Sequence, residues 1–123
     1  MNAIRRILVA VDFSEISKHL VRYALALARK LDAEVHLVNV INQRDVDMVK
    51  QVAIYTDKIS VESYVDSLKQ ERTENLQKLI EEKNCSRIPS RFIIETGTPF
   101  EELSRIAEAQ KVDLVVMGTK GRG

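Results

Sequence analysis

The chain of 123 residues has one cysteine, Cys85. No internal disulfide can form, and a lone thiol fits a reducing, cytoplasmic compartment. Its two histidines are scattered, so zinc-type ligand spacing is missing. A dominant charge is missing too: 19 basic and 18 acidic side chains leave a formal +1. That removes the electrostatic reason to expect nucleic acid or an anionic membrane as a partner. Apolar runs last only a few residues, so none reads as a bilayer span. An Arg pair precedes the first run, but Asp12 interrupts that run after five residues, so the N-terminus does not read as a signal peptide. Internal repeats and low-complexity tracts are missing. So are the Walker pattern and GxGxxG. No Ser-His-Asp, Cys-His or paired-carboxylate arrangement can be argued from spacing, and no general base or nucleophile is evident. His19 and His36 read as structural and Cys85 as inert.

What is present is ordinary for a globular protein, 45% hydrophobic and 30% charged, with length enough for one domain and one core. Ile7-Leu8-Val9-Ala10-Val11 is a continuous apolar run, as a strand covered on both faces reads. A helix follows from about Ser14 to Leu31, with Leu20, Val21, Ala24, Leu25, Ala28 and Leu31 at helical spacing. Either Asp12, with Glu15 three residues on, or Ser14 could cap it, and for Asp12 a capping role is favoured over contact with a ribose or a metal. Glu34 to Ile41 is β-rich and reads as a second strand. A polar stretch, 42–45, and an ambiguous short helix within 46–56 come next. From about Ser60 to Lys83 the pattern is helical, with Val61, Val65, Leu68, Leu76, Leu79 and Ile80 inward. Lys69, Glu71, Arg72 and Glu74 fall on an outer, solvated face.

Asn84 to Pro89 reads as a turn and Arg91 to Thr96 as a third strand. Gly97-Thr98-Pro99-Phe100-Glu101 is a helix start: Thr98 at the N-cap, Pro99 at the first helical position, Glu101 completing a capping box. Phe100, Leu103, Ile106 and Ala107 are expected to be buried. A fourth strand, Asp113 to Met117, runs into Gly118-Thr119-Lys120-Gly121. A glycine-rich basic turn after a buried strand can cradle phosphate, because glycine lets backbone N–H groups approach an anion. The same residues are equally well a plain turn.

Strands alternating with helices imply a parallel sheet covered on both faces, with ligands outside the carboxyl ends of the strands. Those ends carry Asp12, Ile41-Asn42, Gly97 and Gly118, so the chemically suggestive residues fall on one edge. A flavodoxin-like FMN carrier shares this architecture, but no aromatic residue stands near the glycine turn to stack a flavin. A receiver domain needs an acidic pair after the first strand, and Asp12 lacks an adjacent acidic partner.

The segments 7–15 (ILVAVDFSE), 36–41 (HLVNVI), 95–99 (ETGTP) and 112–123 (VDLVVMGTKGRG) together resemble the universal stress protein family over essentially the whole chain. The resemblance implies a Rossmann-like, adenine nucleotide alpha hydrolase-like parallel sheet of order 3-2-1-4-5, often in homodimers. One branch of that family binds ATP through Gly-x2-Gly-x9-Gly-Ser/Thr after the fourth strand, and Gly118 and Gly121 match its first half. The resemblance places Asp12 near the ribose and phosphates, where it could meet phosphate-bound Mg2+. It places Ala10 in the pocket wall, the backbone of Val40 against adenine, Met117 beside the base and Gly97 at the border. Lys120 would add a cation near the phosphates. The second glycine pair, the last helix and the fifth strand are not in this chain, so residues 1–123 are expected to form a single, C-terminally incomplete domain. The function implied is an ATP-binding stress-response module. The alternatives are a family member that works by dimerisation or partner docking without nucleotide, and a slow ATPase.

Overall fold

A computed structural model describes residues 3–82 and 88–118. Cys85, most of the 84–89 turn, Lys120 and Gly121 lie outside the described residues.

The elements follow in the order β1 (Arg6–Ala10), α1 (Glu15–Leu31), β2 (Glu34–Asn42), α2 (Gln43–Ala53), α3 (Val61–Glu82), β3 (Ser90–Gly97), α4 (Pro99–Ala109) and β4 (Leu114–Val116). The four strands are all parallel and lie in the order β3-β2-β1-β4. That is the expected Rossmann-like α/β sheet. β1 is central, with Ile7, Leu8 and Val9 fully buried, which explains its continuous apolar run.

Pleating divides the sheet into two cores. Ile7, Val9, Val11, Val35 and Leu37 pack with Val21, Ala24, Leu25 and Ala28 of α1 and with Leu76, Leu79 and Ile80 of α3. Leu8 and Val38 pack on the other face against Ile106 of α4, with Val40, Ile93 and Leu103 alongside. The chain therefore winds one way from β1 to β3 with α1 and α3 on one face. It then crosses back beneath α4 to place β4 on the far side of β1. The reversal between β1 and β4 is the topological switch point of such a sheet.

Several local expectations are corrected. The polar stretch after β2 is helical, because Asn42 caps α2 by accepting from the Arg44 N–H at 3.0 Å. Thr98 is the N-cap of α4, but its side chain makes no capping bond; its carbonyl accepts from the Glu102 N–H at 2.9 Å. The Glu101 capping box does not form, and Glu102 instead accepts from the Arg105 guanidinium at 2.6 Å. Phe100 is 72% exposed. α4 starts two residues after β3 ends, so its first turn overhangs the strand ends instead of lying over the sheet. His36 is structural, as expected: it is 1% exposed, and its Nε2 lies 2.6 Å from the Glu34 carboxylate.

The loop entering β4 is tied to β1 by Asp113, whose Oδ2 accepts from the main-chain N–H groups of Arg5 (2.8 Å) and Arg6 (3.1 Å). Those two bonds, the Arg5 one first, hold the Asp113 carboxyl below its ordinary pKa. A depressed folded-state pKa gives stability that is present above the unfolded-state pKa and lost as pH falls through the folded one. Asp113→Asn should therefore be less stable than the parent at neutral pH, and the gap should close on acidification below the ordinary carboxylate range; chemical denaturation at several pH values reads this directly. Leu37 is fully buried in the larger core, and Leu37→Ala should cost about 2–5 kcal/mol in the same assay.

Candidate functional site

Parallel pairing sends the carboxyl ends of all four strands to one edge, and a cleft of about 400 Å³ opens there. It is lined by Asp12 and Phe13 after β1, Asn39 and Val40 near the end of β2, and Leu68, Glu71, Arg72 and Asn75 of α3. Its size falls within the range of small-molecule sites, roughly 300–1,000 Å³. A second, larger groove between α2 and α3 is lined by Met48, Val49, Val52, Ile59 and Tyr64. That groove has no charged group to orient a ligand, whereas the cleft at the strand ends combines carboxylates, carboxamides and a guanidinium.

The β1–α1 turn is set by hydrogen bonds. Asp12 Oδ1 accepts from the Ser14 N–H at 3.0 Å, which closes the turn. Ser14, not Asp12, is the N-cap: its Oγ accepts from the Ser17 N–H at 3.2 Å. Asp12 lies two residues before that cap, outside the helix, and lines the cleft. Hydrogen bonding by Ser14, from the hydroxyl first and then the main chain, holds the Asp12 carboxyl below its ordinary pKa despite partial burial. Asp12 is therefore a carboxylate at neutral pH. Between them Phe13 adopts φ 64°, a left-handed conformation that a residue with a large side chain rarely takes. Packing of Phe13 against the α1-side core and the two flanking bonds enforce it, and such strain concentrates at ligand sites.

Val40 reaches the cleft by its backbone. Its side chain belongs to the core under α4, on the opposite face of the sheet. Its neighbour Asn39 points the other way and is 4% exposed. Asn39 Nδ2 donates to the Val11 carbonyl at 2.7 Å, while its Oδ1 accepts from Arg72 Nη1 at 2.7 Å.

The structure thus brings two of the expected site residues, Asp12 and Val40, into one cleft. Ala10 and Gly97 end β1 and β3 on the same edge, and Met117 and Gly118 follow β4 there; these four do not line the cleft. A Cβ on Gly97 would lie 2.6 Å from Glu102 Cγ, so this turn leaves a side chain no room while Glu102 stays on Arg105. Gly118 lies against the first turns of α1, where an added Cβ would be 3.8 Å from Ile16 and 3.9 Å from Leu20. Lys120 and Gly121 fall outside the described residues. Among the described residues no group of three or more His, Cys, Asp or Glu could hold a metal, and no helix is long and apolar enough to cross a membrane.

Sequence reasoning missed Asn39 and misplaced Arg72. Arg72 lies four residues after Leu68 and four before Leu76, so it interrupts the apolar stripe of α3 and is not on its outer face. That interruption was the available signal.

The universal stress protein family matches residues 3–123. The chain belongs to the universal stress protein family. Two such proteins of Methanocaldococcus jannaschii are each 30% identical to it. MJ0531 aligns over 98% of this chain and 68% of its own length, MJ0577 over 96% and 78%. The solved structure of MJ0577 superposes with a TM-score of 0.78 at 26% identity, covering 98% of this chain and 78% of that one. A universal stress protein solved in complex with cAMP shares the fold, with a TM-score of 0.66 at 18% identity over 99% of this chain and 78% of its own.

The cap geometry is directly testable. Ser14→Ala should cost about 1 kcal/mol by removing the α1 cap. It should also raise the Asp12 pKa toward the ordinary aspartate value in a carboxyl NMR titration; an unmoved Asp12 would show that the Ser14 hydroxyl does not lower its pKa.

Proposed function

We infer that this universal stress protein domain binds an adenine nucleotide and acts as a stress-response regulatory module. The observation that carries this reading is the cleft at the strand ends, where the ionised Asp12 carboxylate and the Val40 backbone meet. A carboxylate beside exposed main chain is suited to a nucleoside: ribose hydroxyls donate to the carboxylate, and the backbone can meet the hydrogen-bonding edge of a base. The family resemblance gives Asp12 and Val40 those same roles. The cAMP complex of a protein with the same fold supports an adenine ligand in general terms.

The phosphates would lie toward Gly118 and the residues after it, on the side of the first turns of α1. Helix N-termini and glycine backbones both favour anions. Mg2+, where present, would be held through those phosphates with Asp12 as its nearest protein carboxylate. Ala10, Gly97 and Met117 would form the rim, with Lys120 and Gly121 continuing the phosphate side. The module would work in the cytoplasm as a homodimer.

Equilibrium dialysis with ATP and magnesium tests the reading. Saturable binding is expected, weakened about tenfold or more by Asp12→Ala, since a hydrogen bond to a charged group contributes roughly 1.5–3 kcal/mol. Gly118→Val should weaken ATP more than adenosine, because it acts on the phosphate side. Absence of binding at millimolar ATP would sink the nucleotide reading and leave a domain that works by dimerisation or partner docking.

A further inference from the structure

We propose that Arg72 is a specificity-determining residue that donates a hydrogen bond to a ring nitrogen of the bound purine. The proposal rests on the nucleotide reading above and assigns the base-recognising group within that cleft.

Arg72 occupies an apolar-stripe position of α3 and is half-buried. It lines the cleft. One of its N–H groups is engaged by the Asn39 carboxamide at 2.7 Å, and Asn39 is itself fixed to the Val11 carbonyl. A guanidinium carries five N–H donors and no acceptor, so this tether leaves donors for a ligand. Among the described residues no carboxylate lies within 4.0 Å of Arg72, although Asp12 and Glu71 line the same cleft.

Charge decides which ligand atom Arg72 meets. Two carboxylates against one guanidinium make this cleft unfavourable for a phosphate, and among the described residues no second cation lines it. The complementary group is a neutral acceptor. Asn39, which holds Arg72, directly precedes Val40, whose backbone is the expected contact of the base. The guanidinium is thus presented beside the base and away from the phosphate side at Gly118. A purine ring offers neutral acceptors at N1, N3 and N7, each of which a deaza analogue replaces by C–H.

The test compares adenosine, its 1-deaza, 3-deaza and 7-deaza analogues, and ATP against the parent protein, Arg72→Met and Arg72→Lys by calorimetry. Arg72→Met keeps an unbranched apolar stem in the stripe, and circular dichroism melting reports on folding of both variants. In the parent, one deaza analogue should bind about tenfold or more weakly than adenosine, as expected for loss of a hydrogen bond to a charged donor. Arg72→Met should lose adenosine and ATP by that same factor and should no longer distinguish that analogue from adenosine. Arg72→Lys, which keeps a donor, should retain part of the discrimination.

The proposal is overturned if Arg72→Met retains the parent's discrimination, for Arg72 is then only a strut between α3 and β2. It is overturned equally if no deaza analogue differs from adenosine in the parent, or if the loss is confined to ATP, which would make Arg72 a phosphate contact. In those cases ATP binding by the parent leaves the nucleotide reading standing. Failure of the parent to bind adenosine or ATP removes the nucleotide reading, and this assignment with it.

Discussion

Everything at the candidate site depends on the parallel pairing of β1 between β2 and β4. Parallel strands need a crossover each, and crossovers of one hand put successive helices on one face until the direction reverses. Here it reverses once, after β3, so α1 and α3 share a face and α4 takes the other. The cleft lined by Asp12 and Arg72 opens at the carboxyl edge, where α3 stands beside the turn from β1 into α1. Asn39 locks that arrangement. Its carboxamide joins the end of β1 to α3 through Val11 and Arg72, with both bonds at 2.7 Å. A buried carboxamide satisfied at both ends fixes the relative placement of the elements it joins, where an apolar side chain would fix only their separation.

The fold was legible because the strong signals were local and mutually consistent. β1 reads as apolar on both faces and is buried on both. The 3.6-residue period of α1 matches the stripe that packs on the sheet. Asp12 and Val40 were legible by resemblance, and the turn from β1 into α1 and the pleat of β2 do bring them together. The order of capping was not legible: Asp12 and Ser14 are both good cap residues, and only the helix's actual start separates them. Thr98 and Glu101 have the spacing of a capping box, yet the Thr98 side chain makes no capping bond.

Arg72 shows a different limit. Its charge suggested solvent, while its spacing put it on the buried stripe, and the spacing prevailed. A long basic side chain can lie along an apolar seam and keep its head polar, so type and position need not agree. The partner that makes this stable, Asn39, lies 33 residues earlier. Nothing in local pattern connects an asparagine in β2 to an arginine in a helix two elements later. Such long-range polar pairs are least visible to sequence reading, and here one of them lines the cleft.

Under the proposed function, the same electrostatics that turn Arg72 toward a base also give the ligand a direction. Glu71 makes the α3 side of the edge repel phosphate. The N-terminal end of α1, with its positive dipole end and with Gly118 beside it, favours it. A nucleotide laid across β1 then has one favourable orientation, nucleoside toward α3 and phosphates toward β4. Asp12 stands where the two halves meet, and hydrogen bonding by Ser14 holds its carboxyl below the ordinary pKa. In that position a carboxylate suits ribose hydroxyls on one side and a phosphate-bound cation on the other. Its placement two residues before the cap residue Ser14 puts Oδ1 on the turn into α1 and the carboxylate at the cleft.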